Sequence, residues 1–195
     1  MEKKHRHFII HKPFNFLSQF IANQNIGKKK LLGKLDFDFP EGTMACGRLD
    51  ANSEGLLILT TDGKVSDYIT TRGNVEKEYY AQLDGAITET EIQKLREGVI
   101  IGFDGKKYLT KPAKVKLIED PNFPCRGKKI RDARHGPTSW ISVILTEGKF
   151  RQVRKMTSAV GFPTLRLVRV RTGNIKIKKL QAGYVEEVEN ILNLL

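Results

Sequence analysis

The sequence predicts an α+β fold: a mostly antiparallel mixed sheet with flanking helices and loops. Three observations predict it. Strand-like stretches outnumber helical ones, the helices fall among them without a regular βαβ alternation, and no internal repeat or low-complexity tract interrupts them. At 195 residues the chain has the length for one domain, 1–195, with a real core. Thr71-Arg72-Gly73-Asn74 suggests a boundary between two lobes, roughly 8–73 and 74–195.

Taken in order, Phe8-Ile9-Ile10-His11 reads as a short strand. Lys12-Pro13 stops it, because proline has no amide to give a ladder. Phe14 to Phe20 mixes aromatic and apolar residues with Ser18 and Gln19, and Asn23 to Lys30 is a polar, basic loop expected at the surface. Leu31, Leu32 and Leu35 suit one helical turn, which Asp36-Phe37-Asp38-Phe39-Pro40 breaks. Leu56 to Thr60 is an apolar strand followed by the turn signal Thr61-Asp62-Gly63. Lys64 to Thr70 follows as a short helix with Val65 and Ile69 on one side.

Lys77 to Leu83 reads as a strand with Tyr79, Ala81 and Leu83 on one face. Thr88-Glu89-Thr90-Glu91 is a capping box: the Thr88 hydroxyl is expected to cap the Glu91 amide while Glu91 reaches back. Ile92 and Leu95 give that helix its apolar face, and Gly98 stops it. Ala113, Val115 and Leu117 alternate with Lys114 and Lys116, which predicts a half-buried strand with a basic outer face. Pro121 to Pro137 shows no period and carries Arg126, Lys128, Lys129, Arg131 and Arg134. A loop of this length in a compact domain is functional or disordered. Thr138 to Thr146 is a strong strand. Arg151 to Val160 is a helix burying Val153, Met156 and Val160, ended by Gly161 and Pro163. Leu165 to Arg171 and Ile175 to Leu180 complete the pattern as two basic strands split by Thr172-Gly173-Asn174.

Composition narrows the function. Hydrophobic residues are 39% and charged residues 29%, as in a globular chain. The net charge of +12 predicts a polyanionic partner, of which nucleic acid is the usual one. No apolar run approaches the roughly 18 residues of a membrane span, and no apolar signal core follows the charged N-terminus. Cys46 and Cys125 form no metal-type pair, and the expected compartment is the reducing cytoplasm. Four scattered histidines fall at no zinc spacing, and no Gly-rich loop leads to Lys-Ser/Thr.

Three stretches can carry chemistry. In Cys46 to Thr60, Asp50 stands at the mouth of the apolar strand. Its rivals are a plain turn or Arg-paired aspartate and a calcium loop over Asp50 to Gly55, whose twelfth position is Thr61 where glutamate is needed. In Glu147 to Met156, Arg151 and Arg154 are expected in the first helical turns. The dipole opposes cations there by roughly 0.3–1 kcal/mol each, so an anion, a phosphate or a partner carboxylate, is the reason to place them there; a solvated basic face is the alternative. Arg154 falls at the border of the buried face, which suits an ion pair to a half-buried acid such as Asp50. The third is Tyr79, either a core ring or one that stacks on a base.

Gly47-Arg48-Leu49-Asp50 followed by Ser53-Glu54-Gly55-Leu56-Leu57 resembles the signature of pseudouridine synthases, in the group that modifies bacterial ribosomal RNA. Lys12-Pro13, Lys77-Glu78-Tyr79, Glu147-Gly148 with Arg151-Gln152-Val153-Arg154, and Leu165 to Gly173 follow in that group's order, so the resemblance covers nearly the whole chain. It implies the pseudouridine synthase catalytic fold, two lobes around a central cleft, and, with the pattern beginning at Phe8, no N-terminal S4 domain.

The same resemblance implies Asp50 as the acid that attacks or deprotonates the ribose, Tyr79 as the ring stacked on the base, Arg154 as the partner that orients Asp50, and Leu167 with Arg48 at the uridine pocket. RNA contacts are expected from Lys12, Arg126, Lys128, Lys129, Arg131, Arg151, Gln152, Lys155, Arg166 and Arg169. The expected activity is uridine-to-pseudouridine isomerisation in large-subunit ribosomal RNA, by a monomer with no cofactor, no metal and no membrane partner. The alternatives are the same chemistry on transfer RNA or small-subunit RNA, and a non-catalytic RNA-binding assembly factor. His11 stands where many relatives have asparagine.

Overall fold

The computed structural model describes residues 4–72, 74–128, 130, 133–177 and 181–195. In chain order its elements are β1 (His7–Lys12), β2 (Met44–Ala45), β3 (Glu54–Thr60), α1 (Gly63–Asp67), β4 (Lys77–Asp84), α2 (Glu89–Glu97), β5 (Ile100–Phe103), β6 (Lys106–Leu109), β7 (Lys114–Ile118), β8 (Thr138–Leu145), α3 (Gln152–Ala159), β9 (Thr164–Thr172), β10 (Ile175–Lys176) and β11 (Val185–Val188). They group into two compact units, Met1–Val75 with Arg169–Leu195, and Glu76–Val168.

In the first unit β1 pairs antiparallel with β3 and with β11, and β2 pairs with β3. Both β1 and β3 are buried at every residue, so each needs cover on two faces. Strand alternation supplies it. Phe8, Ile10, Leu57 and Leu59 pack with Phe16, Leu32 and Leu35 on one side, and Ile9, Leu56 and Ile58 pack with Val65, Ile69, Ile175 and Ile191 on the other. Phe37 and Phe39 meet Phe8 edge-on at centroid distances of 5.4 and 5.5 Å, so the Asp-Phe-Asp-Phe-Pro stretch that breaks a helix also feeds the core. The lobe expected over 74–195 is corrected at its C-terminal end. Residues from Arg169 onward belong to the first unit, because β11 gives β1 a partner and Ile175 and Ile191 complete the face built by Ile9 and Leu56.

In the second unit β8 pairs antiparallel with β4, from Lys77↔Leu145 to Asp84↔Thr138, and with β7. The hairpin of β5 and β6, which no sequence signal had suggested, stands apart as its own small sheet. Ala81 and Leu83 of β4, Ile141, Val143 and Leu145 of β8, Ile92 and Leu95 of α2 and Val153 and Met156 of α3 make one core. The sheet is mostly antiparallel, in the ladders of β1 with β3 and β11 and of β8 with β4 and β7, and the helices are irregularly interspersed, which is the α+β arrangement expected from the sequence. Among the described residues no helix is long and apolar enough to cross a membrane.

Three local expectations are corrected. Leu117 is 56% exposed, because β7 is an outer strand that reaches the core only through Val115. The Thr88 hydroxyl makes no capping bond to a helix amide; its proton goes to the Glu91 carboxylate instead, which holds that carboxyl below its usual range. Arg151 is not in a helical turn: it is the residue before α3, with a left-handed backbone at φ 54°.

Candidate active site

Asp50 lies in the loop that joins β2 to β3. The loop is closed below by Met44↔Thr60 and Ala45↔Leu59 pairing and by the Cys46 amide donating to the Ile58 carbonyl at 2.8 Å. Inside it the Ser53 amide donates to the Asp50 carbonyl at 3.0 Å. The side chain of Asp50 is half-buried and Arg48 is exposed, while Leu49 between them is buried. Gly55 runs straight into the buried strand instead of a helix, so the calcium-loop geometry is not met. It has to be glycine. Its φ is +105°, and a Cβ there would lie 2.3 Å from the Arg169 carbonyl oxygen.

The loop is held by a segment far away in sequence. Ser18 Oγ donates to the Leu49 carbonyl and accepts from the Leu49 amide, both at 2.9 Å. The Asn15 amide donates to the Ala51 carbonyl at 2.7 Å. Behind them, Lys12 is fully buried and its Nζ donates to the carbonyls of Pro13 at 2.9 Å and Phe16 at 2.6 Å. Burial pushes the Lys12 amine down to about 7, against the pull of Glu54 and Asp50. Lys12 is therefore not a surface phosphate contact; its ammonium is spent on the turn that supports Asp50. Arg169 is corrected in the same way. It is 3% exposed, and its Nε donates to the Leu56 carbonyl at 2.6 Å.

In the second unit Tyr79 is half-buried on β4 and its ring packs against the core that includes Ile92 and Met156. Leu167 is a member of that core. Arg154 is nearly buried on α3 and its Nη1 donates to the Thr164 carbonyl at 3.1 Å, beside the Thr157–Thr164 hydroxyl pair at 2.7 Å. The turn before α3 organises itself around Glu147. That carboxylate accepts from the Tyr108 hydroxyl at 2.7 Å, the Lys111 amide at 2.9 Å and the Gln152 side-chain amide. Gln152 in turn accepts from the Lys149 amide at 2.9 Å. The bond to Glu147 raises the Tyr108 phenol above its usual range. Gln152 is thus corrected from an RNA contact to a buried support of the turn.

Arg166 is likewise withdrawn from the surface. It donates to the Pro124 carbonyl at 2.9 Å and lies over the Phe123 ring at 5.4 Å, pinning the start of the long basic loop. Arg151 and Lys155 stay accessible along an open groove of about 410 Å³ shared with Ile101, Gly102 and Ser158. Lys155 Nζ donates to the Gly102 carbonyl at 2.6 Å across it. Lys128 is exposed and Arg126 half-buried in the basic loop; Lys129 and Arg131 lie outside the described residues. Ser18, Asn15 and Glu147 are the site residues that sequence reasoning missed. Only the family-like Glu147-Gly148 pair carried any signal for them.

Comparison with known proteins adds the remaining finding. A family model described as RNA pseudouridylate synthase matches residues 6–159. The chain is similar to the ribosomal large subunit pseudouridine synthase E of Vibrio vulnificus (strain CMCP6), at 40% identity over 181 residues, covering 92% of this chain and 74% of the relative. It is equally similar to the protein of that name from Xanthomonas axonopodis pv. citri (strain 306), at 40% identity over 174 residues and 88% of each chain. A crystal structure of a pseudouridylate synthase superposes with a TM-score of 0.76 over 95% of this chain and 71% of that one. At 24% identity it speaks for the fold alone.

Proposed function

The chain belongs to the RNA pseudouridylate synthase family, and from that premise we propose that it isomerises a uridine of large-subunit ribosomal RNA to pseudouridine, with Asp50 as the catalytic acid. The observation that carries the target is the 40% identity, over nearly the whole chain, to relatives named as large-subunit synthases. The observation that supports Asp50 is its setting. It is half-buried in a loop whose backbone is fixed on both sides of it, at Leu49 and at Ala51. A carboxylate acting on a ribose gains from being held in place before the substrate arrives.

The reaction breaks the bond from the ribose C1′ to uracil N1 and makes one from C1′ to C5. The proton on C5 leaves and N1 ends protonated, so nothing is oxidised and no cofactor is called for. Asp50 attacks C1′ or takes a ribose proton to free the uracil. Tyr79 stacks on the ring and serves the C5 proton, Arg154 keeps Asp50 ionised and oriented, and Leu167 and Arg48 flank the base, as the family implies. The uridine has to leave its stack to be reached. The net charge of +12, with Lys128, Arg126, Arg151 and Lys155 accessible, suits a partner rich in phosphate.

The test is a map of pseudouridine in total RNA from a deletion strain and its parent. One uridine of the large-subunit RNA is expected to lose its modification, and a plasmid copy of the gene is expected to restore it. Loss in transfer RNA or small-subunit RNA would move the target. No loss anywhere would leave an RNA-binding protein without turnover.

A further inference from the structure

The segment that follows β1 has an inner and an outer side. Inside, Asn15 and Ser18 grip the backbone around Asp50. Outside, the same segment carries the basic loop. Asn15 Nδ2 donates to the Lys28 carbonyl at 2.8 Å, the Lys30 amide donates to the Asn15 carbonyl at 2.9 Å, and the Leu17 amide donates to the Lys30 carbonyl at 2.8 Å. Asn15 adopts the left-handed conformation, φ 67°, which asparagine tolerates and which lets its amide and its side chain serve different loops. One residue therefore ties Lys28 on one side to Ala51, the neighbour of Asp50, on the other.

What the outer loop carries is charge of one sign. Lys28, Lys29 and Lys30 are consecutive and exposed, and no acidic residue occurs between Lys12 and Asp36 to neutralise them. Like charges packed this closely repel one another; Lys30 also lies over the ring of the core residue Phe16 at 5.8 Å, while Lys28 and Lys29 are exposed with no acid near them in sequence. Their backbone is anchored rather than loose, so the charges arrive at fixed places. A ligand that spreads its negative charge along a chain answers that arrangement, and for a member of this family the ligand is RNA.

We propose that the Lys28–Lys30 loop binds the RNA backbone through its phosphates, and that Asn15 and Ser18 are positioning residues that set the place of Asp50 relative to that backbone. The second half rests on the reading of Asp50 as the catalytic acid; the first half does not.

The experiment measures binding of a single-stranded fragment of large-subunit ribosomal RNA by anisotropy across a salt series, together with single-turnover pseudouridine formation. The triple variant Lys28→Ala, Lys29→Ala, Lys30→Ala is expected to bind more weakly, with a log–log salt slope shallower by roughly 0.7 for each phosphate that is no longer neutralised. Asn15→Gly keeps the left-handed turn and loses only the tie to Lys28. It and Ser18→Ala are expected to bind the fragment with the parent's salt slope but turn over about tenfold more slowly, and Ser18→Thr to recover most of the rate. A triple variant with the parent's affinity and slope would overturn the phosphate site. Full turnover in both Asn15→Gly and Ser18→Ala would overturn the positioning role. Asp50→Ala run alongside separates the two readings. If it still turns over, the catalytic assignment of Asp50 fails and the positioning role with it, while the salt-slope result stands on its own.

Discussion

The Asp50 loop and the turn into α3 both carry motif residues, and they are held in different ways. The Asp50 loop imports its support. Ser18 lies 31 positions before Leu49 and satisfies both of its backbone groups, and Lys12 fastens the turn that brings Ser18 and Asn15 into place. The turn into α3 also ties its own motif residues to each other. Glu147 and Gln152, five positions apart, bond to each other and Gln152 closes back on the Lys149 amide, while Tyr108 and Lys111 reach Glu147 from outside the turn. The difference teaches how to read polar motif residues. Where support is imported, distant residues fix the motif's backbone, as Ser18 and Asn15 do on either side of the half-buried Asp50. Where support is local, part of the motif is the scaffold, and Gln152 is consumed by it.

The change expected to break this comparison most severely is Gly55→Ala, at the base of the Asp50 loop. A Cβ 2.3 Å from the Arg169 carbonyl, on a backbone at φ +105°, has no room to relax without parting two backbones. A loss above about 3 kcal/mol is expected in urea unfolding, with collapse of the amide spectrum around β3 if the unit no longer folds. Gln152→Ala comes next. It leaves the Lys149 amide and part of the Glu147 carboxylate without their partner, and a loss of about 1–3 kcal/mol is expected. Faster hydrogen exchange confined to the start of α3 would mark the support as local.

Lys12 sharpens the comparison through pH. Its amine is lowered in the folded chain to about 7 from an ordinary value of 10.5. Between those values the unfolded chain holds a proton that the folded one lacks, so the stability tied to this group is full above the unfolded value and is lost as pH falls through about 7. Lys12→Met is therefore expected to flatten the rise in melting temperature from pH 7 toward pH 10 relative to the parent. An unchanged slope would show that Lys12 is not the group responsible. The smallest effect is expected at Arg151, exposed at the entrance to α3. Arg151→Gly suits the left-handed backbone and is expected to change stability by less than about 0.5 kcal/mol in the same unfolding assay.

The elements that sequence exposed best were those with a local period. β1, β3, β4 and β8 follow their apolar runs, and α2 follows Ile92 and Leu95, because alternation and helical spacing are written within a few residues. The hairpin of β5 and β6 was not legible. Ile100 and Leu109 face outward as an exposed pair, and Gly102 breaks any pattern. The basic residues show the same limit at the site. Lys12, Arg166 and Arg169 look in sequence like phosphate ligands, yet each donates to a backbone carbonyl, and a carbonyl leaves no mark in a side-chain pattern. The loop around Asp50 stood out in sequence because its residues form a compact motif; the clamp at Ser18 and Asn15 did not, since its partners lie more than thirty positions away.

The most direct test of the central claim is the turnover of purified Asp50→Ala on unmodified large-subunit ribosomal RNA, with binding measured on the same preparation. The account predicts no pseudouridine above background and RNA affinity within about twofold of the parent, since the carboxylate serves the reaction and adds no attraction for phosphate. Pseudouridine formed at the parent's rate would contradict it.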